Sequence, residues 1–270
     1  MLDFAKAKDI GEVFTKKPVK YSQRDIEIFG SLVDAIEELA EKYELSIEES
    51  IDIAESAISL ALSEYIGHDV QVYLKPKCKI YIYTDFVAKE IQPSQIKKEA
   101  FKYVKEKLSF RFYTYQAFRI YEDAKKIVRT VTFGPVFRII QNTLYVKIKN
   151  PHATIKAGRD LIGQCPLEHQ TPKERGQYRE GQILPFFVTS VRGVVDGNTP
   201  KIIITLSRNS LSFPEELLRM SLAQRGIFTP IKAVRRIAGG WTEIHAEEKL
   251  PKECIKEVGD LLKEGIIVKY

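Results

Sequence analysis

Apolar and polar positions follow two different periods along this chain. Over residues 22–65 the period is helical: Ile28, Leu32, Ile36 and Leu39 recur every three or four positions, as do Ile47, Ile51, Ala54, Ile58, Ala61 and Leu62. This pattern predicts two amphipathic helices, and Ser46 with Glu49 supplies a capping box to start the second. The period falls to two in Val70-Gln71-Val72-Tyr73-Leu74 and Ile80-Tyr81-Ile82-Tyr83, with a hairpin turn expected at Lys75-Pro76-Lys77-Cys78-Lys79. Helical spacing returns over 94–108 and 115–128. The second of these helices ends in Lys125-Lys126-Ile127-Val128-Arg129, where the helix dipole favours positive charge. Residues 1–21 carry no clean period and read as a mostly irregular leader.

Five β-type runs follow, at 131–140, 144–149, 161–166, 183–192 and 201–206, with a turn expected at Gln141-Asn142-Thr143. In the second run Leu144, Val146 and Ile148 alternate with Tyr145, Lys147 and Lys149, which sends the aliphatics inward and the ring and cations outward. In the first run Val136 and Ile139 point inward, and an irregularity near Gly134-Pro135 leaves Phe137 and Arg138 outside. Strands this short and closely spaced predict a small five-stranded barrel. Beyond it the pattern gives a helix at 214–225, a strand at 230–237, a turn at Ala238-Gly239-Gly240, a strand at 241–247, a helix at 252–263 and a strand at 266–270. The expected fold is α+β and multidomain. Residues 1–128 form a helical and β N-terminal domain with a connector helix, 129–213 the barrel, and 214–270 a small α/β domain.

Composition narrows the class. A chain of 270 residues with 44% hydrophobic and 29% charged residues has room for two or three cores. No apolar run approaches a membrane span of about 20 residues, and Met1-Leu2-Asp3-Phe4-Ala5-Lys6 lacks a signal-peptide apolar region. Three distant cysteines, Cys78, Cys165 and Cys254, argue against a disulfide framework and for a reducing cytoplasm.

Charge is sorted along the chain. Basic and acidic residues number 20 and 22 in 1–128, 12 and 5 in 129–213, and 10 and 9 in 214–270. A local cationic surplus of this kind is what binding to a phosphate backbone requires. Phe137 and Tyr145, flanked by Arg138, Lys147 and Lys149 and with Arg192 on the fourth strand, make a stacking platform of the type used for single-stranded RNA. The competing role for the two rings is to seal contacts between domains. Residues 22–65 carry 12 acidic and 2 basic side chains, which suits either a solvated surface or a dock for a basic protein partner.

The stretch Gly163-Gln164-Cys165-Pro166-Leu167-Glu168-His169-Gln170-Thr171-Pro172, followed by Tyr178-Arg179-Glu180-Gly181-Gln182, resembles the S-one RNA-binding domain of the bacterial transcription factor NusA. That family shows a Pro-x-Glu-x-Gln-x-Pro run and then Tyr-Arg-x-Gly. Leu206-Ser207-Arg208 is similar to the end of its fifth strand. Ala40-Glu41-Lys42-Tyr43-Glu44-Leu45-Ser46-Ile47-Glu48 and residues 53–65 are similar to the first helices of its N-terminal domain. The resemblance runs in order over about 28–215 and leaves 1–27 without a counterpart. It implies an N-terminal domain that docks on RNA polymerase through the acidic helices of 22–65, and a barrel that touches nascent single-stranded RNA to modulate pausing, termination or antitermination. It also implies that the barrel is of OB type and that His169, at its rim, faces RNA.

NusA proteins continue with two K-homology domains, each with a GxxG clamp. No two of the 15 glycines here stand three apart, so that clamp is missing and 214–270 resembles a shortened K-homology unit. Arg235, Arg236 and Trp241 are candidates for a secondary RNA contact, or for plain surface and packing roles. Cys165, His169 and His152 are the one set suggestive of zinc, but they lack paired structural-site spacing. Neither a Walker A run, a GxSxG elbow nor a GxGxxG turn occurs. The chain is expected to be a non-enzymatic factor without a cofactor. The rival reading is a stand-alone or ribosome-associated single-stranded RNA-binding protein that does not dock on polymerase.

Overall fold

The computed structural model describes residues 22–75, 78–84, 87–148, 161–197 and 199–270, so the expected leader at 1–21 lies outside the described residues. Among those described, the fold is mixed α+β, with five α-helices and three sheets. The chain divides into two compact units, Met1–Ala117 and Phe118–Tyr270.

In the first unit, α1 (Gln23–Tyr43) starts at Ser22 through a capping box with Asp25. The Asp25 amide donates to Ser22 Oγ at 3.3 Å, and the Ser22 amide donates to the Asp25 carboxylate at 2.8 Å. Asp25 is buried and also accepts from the Ser94 amide at 2.7 Å, so it does not belong to the negative outer face. Burial pushes its carboxyl up, and the hydrogen bonds from Ser22 and Ser94 outweigh that and hold it below its ordinary value. Helix α2 (Ile47–Ile66) begins at Ser46 with the expected box to Glu49. Leu32, Ile36 and Leu39 of α1 pack with Ala54, Ile58, Ala61 and Leu62 of α2. Ile47 departs from the expected apolar face: it sits in the first turn of α2 and is 43% exposed.

The alternating runs form β1 (Asp69–Tyr73) and β2 (Lys79–Thr84), antiparallel with Val70 opposite Ile82. Part of the expected hairpin turn, residues 76–77, lies outside the described residues. A third strand, β3 (Val87–Ile91), pairs with β2 and was not legible, because its exposure does not alternate. One helix, α3 (Lys98–Lys125), replaces the two expected. Val104, Leu108 and Phe112, each four residues on, are fully buried, so the apolar stripe runs through the segment where a break was expected.

The second unit opens with a five-stranded closed barrel of β4 (Val131–Ile140), β5 (Thr143–Ile148), β6 (Leu161–Cys165), β7 (Ile183–Asp196) and β8 (Thr199–Ser207). The order is β4-β5-β6-β8-β7, closed by antiparallel pairing of β7 with β4. Val136, Leu144, Val146, Ile148, Phe186, Val188, Ile204 and Leu206 fill it. Gln141 and Asn142 take left-handed φ values of 47° and 63° in the tight β4–β5 turn. Gly134 is required where β4 meets β5, since a Cβ there would lie 2.0 Å from the Lys147 carbonyl oxygen.

Next come α4 (Ser212–Ala223), β9 (Ile231–Ile237), β10 (Trp241–Ala246), α5 (Lys252–Leu262) and β11 (Gly265–Lys269). Strand β10 is central in this sheet, antiparallel to β9 and parallel to β11. Phe187 of the barrel joins Phe213, Leu217, Leu218 and Ile244 in one core. Barrel and C-terminal elements thus share one compact unit. No described helix is long and apolar enough to cross a membrane.

Candidate nucleic-acid interface

The period-two pattern of β5 places its residues as expected: Leu144, Val146 and Ile148 are buried, Tyr145 is half-buried and Lys147 is exposed. On β4 the register slips between Val136 and Arg138, so Phe137 is the extra residue of a bulge. The irregularity falls two residues beyond the Gly134-Pro135 position expected for it. Its effect is to leave Phe137 half-buried and Arg138 exposed beside Tyr145. The Phe137 and Tyr145 rings meet edge to face, with centroids 6.4 Å apart and planes at 71°. Lys147 Nζ lies 5.8 Å from the Phe137 ring centroid. Two partly exposed rings, one cation on a ring and another at the bulge therefore share one outward patch.

That patch continues around the barrel. Lys147 pairs with Ile162 on β6, and Arg192 on β7 pairs with Ile203 on β8. Gly163 pairs with Ile204 across the parallel β6–β8 step, which brings Ile162 level with Ile203. An outward row of Lys147, Ile162, Ile203 and Arg192 follows, with exposed cations at both ends. His169 stands apart from this row, half-buried in the 3-10 turn after β6. Lys149 lies outside the described residues.

The cationic surplus is not all available to a ligand. Arg208 is 1% exposed, and its guanidinium grips Glu174 by two bonds of 2.8 and 3.0 Å while donating to the Pro185 carbonyl at 2.7 Å. Tyr178 Oη donates to the same carboxylate at 2.9 Å. Burial pushes the Glu174 carboxyl up, but the Arg208 bonds and charge, with the Tyr178 bond, prevail and hold it below its ordinary value.

Arg236 requires a correction. Expected as a candidate RNA contact, its side chain is 2% exposed. It grips Glu264 at 3.0 and 2.7 Å and donates to the Arg208 carbonyl at 2.8 Å and to the Ser210 carbonyl. Glu264 also accepts from the Gly239 amide at 2.7 Å and from Thr242 Oγ1 at 3.0 Å. Both guanidinium carbons lie over the Phe213 ring, at 5.9 and 5.6 Å. Arg236 therefore belongs to the joint that ties β9 to the end of β8. Of the other secondary candidates, Arg235 is exposed and Trp241 half-buried. The sequence carried a faint signal for the joint: Arg208 and Tyr178 stood inside the quoted motifs without an assigned task.

Two further motif residues, Gln170 and Cys165, act as struts. Gln170 is buried, and its side-chain amide donates to the carbonyls of Asn142 at 2.5 Å and Cys165 at 3.1 Å, pinning the β4–β5 turn to β6. Burial pushes the Cys165 thiol up to about 12, and its Sγ donates to the His169 carbonyl at 3.6 Å. A thiol held neutral in this way is a poor metal ligand, and His152 lies outside the described residues. Among the described residues no group of three or more His, Cys, Asp or Glu is placed to hold a metal ion.

A comparison with protein-family models finds no match, and neither does one with curated proteins.

Proposed function

We propose that this protein binds single-stranded RNA on the outer face of its barrel and works as a NusA-like, non-enzymatic factor. In this role the first unit docks on RNA polymerase and the barrel meets the emerging transcript. The observation that carries the reading is the Phe137–Tyr145 ring pair, partly exposed beside Arg138 and with Lys147 over one ring. We read the closed barrel of order β4-β5-β6-β8-β7 as OB-type, a fold that presents such faces to single strands. We further read α4 through β11 as a shortened K-homology unit without its GxxG loop. Exposed Glu27, Asp34, Glu37, Glu38, Glu41, Glu48 and Asp52 on α1 and α2 supply the negative face that a basic polymerase surface would meet.

Tethering makes a weak RNA site sufficient, because docking on polymerase raises the local RNA concentration toward millimolar. Transcription in vitro on a pausing template tests the reading. The expected result is that the protein changes pause lifetime, that Phe137→Ala/Tyr145→Ala abolishes the change, and that residues 1–117 still retain polymerase on a column. Unchanged pausing without polymerase retention, together with intact RNA binding, would favour the stand-alone RNA-binding protein.

A further inference from the structure

The C-terminal sheet has one face covered by helices and one face open. Ile231, Ala233, Ile244 and Ala246 are buried with α4 and α5. The registers set the opposite face out as a grid of three rows. Lys232, His245 and Lys269 make the first row, Arg235, Glu243 and Ile267 the second, and Ile237, Trp241 and Gly265 the third. A bulge at Val234 keeps these rows in phase and leaves Val234 itself 41% exposed. Ile237 and Ile267 are 59% and 49% exposed, and Lys232, Arg235, His245 and Lys269 are all exposed.

The charge on this face is one-sided. Three fixed cations, Lys232, Arg235 and Lys269, stand against the single carboxylate of Glu243. Lys269 at 3.0 Å and His245 at 3.2 Å engage that carboxylate and hold it below its ordinary value, Lys269 contributing most. The partner that complements such a face is a polyanion with flat apolar groups. Trp241 is half-buried and has Gly265 as its neighbour on β11, with no side chain to cover its flank. The turn joining β9 to β10 abuts the barrel, where a Cβ on Gly239 would lie 2.9 Å from Thr171 and 3.2 Å from Lys173. Exposed Lys173 therefore stands beside the turn end of the sheet.

We propose that this open sheet face is a second binding surface for single-stranded nucleic acid. A base stacks on Trp241 between Ile237 and Ile267, and the backbone phosphates run along Arg235, Lys232 and Lys269. Helix-backed sheets that present a ring and cations on their free face are a recurrent way to hold single strands. This surface goes beyond the barrel platform and stands on residues that the platform does not use.

Trp241 is the only tryptophan in the chain, so its emission reports on this face alone. The full chain is titrated with unlabelled oligouridylate while tryptophan emission is read, and in parallel with labelled oligouridylate read by anisotropy. Saturable quenching is expected in the unaltered protein and in Phe137→Ala/Tyr145→Ala, whose barrel platform is removed. Lys232→Glu/Arg235→Glu, checked for its fold by circular dichroism, should require about tenfold more RNA for the same quenching. An oligodeoxythymidylate arm with equal quenching would support a surface for single strands of either sugar. Oligouridylate binding by anisotropy with unchanged tryptophan emission would overturn the second surface and leave the barrel reading intact. The same holds if quenching is indifferent to the charge reversals, or if the face instead captures a second copy of the chain and excludes RNA. Anisotropy unchanged in the ring variant, with quenching preserved, would remove the barrel reading and keep this one.

Discussion

Arg138 stands exposed at the bulge of β4 beside Tyr145, whereas Arg208, at the end of β8, is 1% exposed and clasped by Glu174 and the Pro185 carbonyl. The two belong to the same barrel and count equally in its net charge. What separates them is the partner each finds: open surface beside two rings for one, a bidentate carboxylate and two aromatic rings for the other. Arg236 repeats the second case with Glu264, and its guanidinium also lies over Phe213. A cationic surplus read along a chain therefore mixes charge that can meet phosphate with charge that fastens the fold. Separating the two takes the tertiary partners.

The largest effect is expected at the fastened arginine. Arg208→Met leaves Glu174 buried without its counter-ion and should cost about 3–5 kcal/mol of unfolding free energy in urea. Adding Glu174→Leu should recover most of that loss, because a buried pair contributes little over well-packed apolar groups of similar size. If the double variant is no more stable than the single one, the pair is not the source of the cost.

Gly134→Ala comes next. Its Cβ would overlap the Lys147 carbonyl oxygen, so β4 and β5 must separate, at an expected cost of about 1–3 kcal/mol. RNA affinity should fall with it, since the ring pair straddles those strands. A fall in affinity beyond what lost stability explains would place the ring pair, and not the fold alone, in RNA binding.

A smaller effect is expected with pH. The Glu174 carboxyl titrates lower in the folded than in the unfolded chain. Its pair with Arg208 then contributes fully above the unfolded value, and that contribution fades as pH falls through the folded one. Urea midpoints should drop on acidification below the ordinary carboxylate range, and the drop should be shallower in Arg208→Met/Glu174→Leu. Smallest of all, Arg138→Ala and Arg192→Ala should each lower the slope of log affinity against log salt by about one. They should leave the urea midpoint in place, the reverse of the change at Arg208.

Much of this fold could be read from residue spacing, because burial and period agree in most elements. Strand β4 was drawn to its observed ends, and the Ser46–Glu49 box starts α2 as its spacing required. Failures came where a partner elsewhere decides the outcome. Strand β3 exists because β2 offers an edge, and its own residues show no alternation. Helix α3 runs on through 109–114 because Leu108 and Phe112 find a core, whatever the local propensity of Ser109 and Thr114. Of the candidate RNA contacts, Phe137, Arg138, Tyr145 and Lys147 form one patch because alternation on β5 and a bulge on β4 are local features. The burial of Arg236 depends on Glu264, 28 residues away, and spacing gave no sign of it.

The central claim is that the exposed ring pair binds RNA and contributes little to holding the barrel together. The direct measurement is oligouridylate affinity of the full chain with and without Phe137→Ala/Tyr145→Ala, alongside the urea midpoint of each. Stacking of about 1–3 kcal/mol per ring predicts a loss on the order of a hundredfold for the pair, with the midpoint nearly unchanged. Equal affinity in the two proteins, or a midpoint that collapses while affinity per folded molecule stays the same, would contradict it.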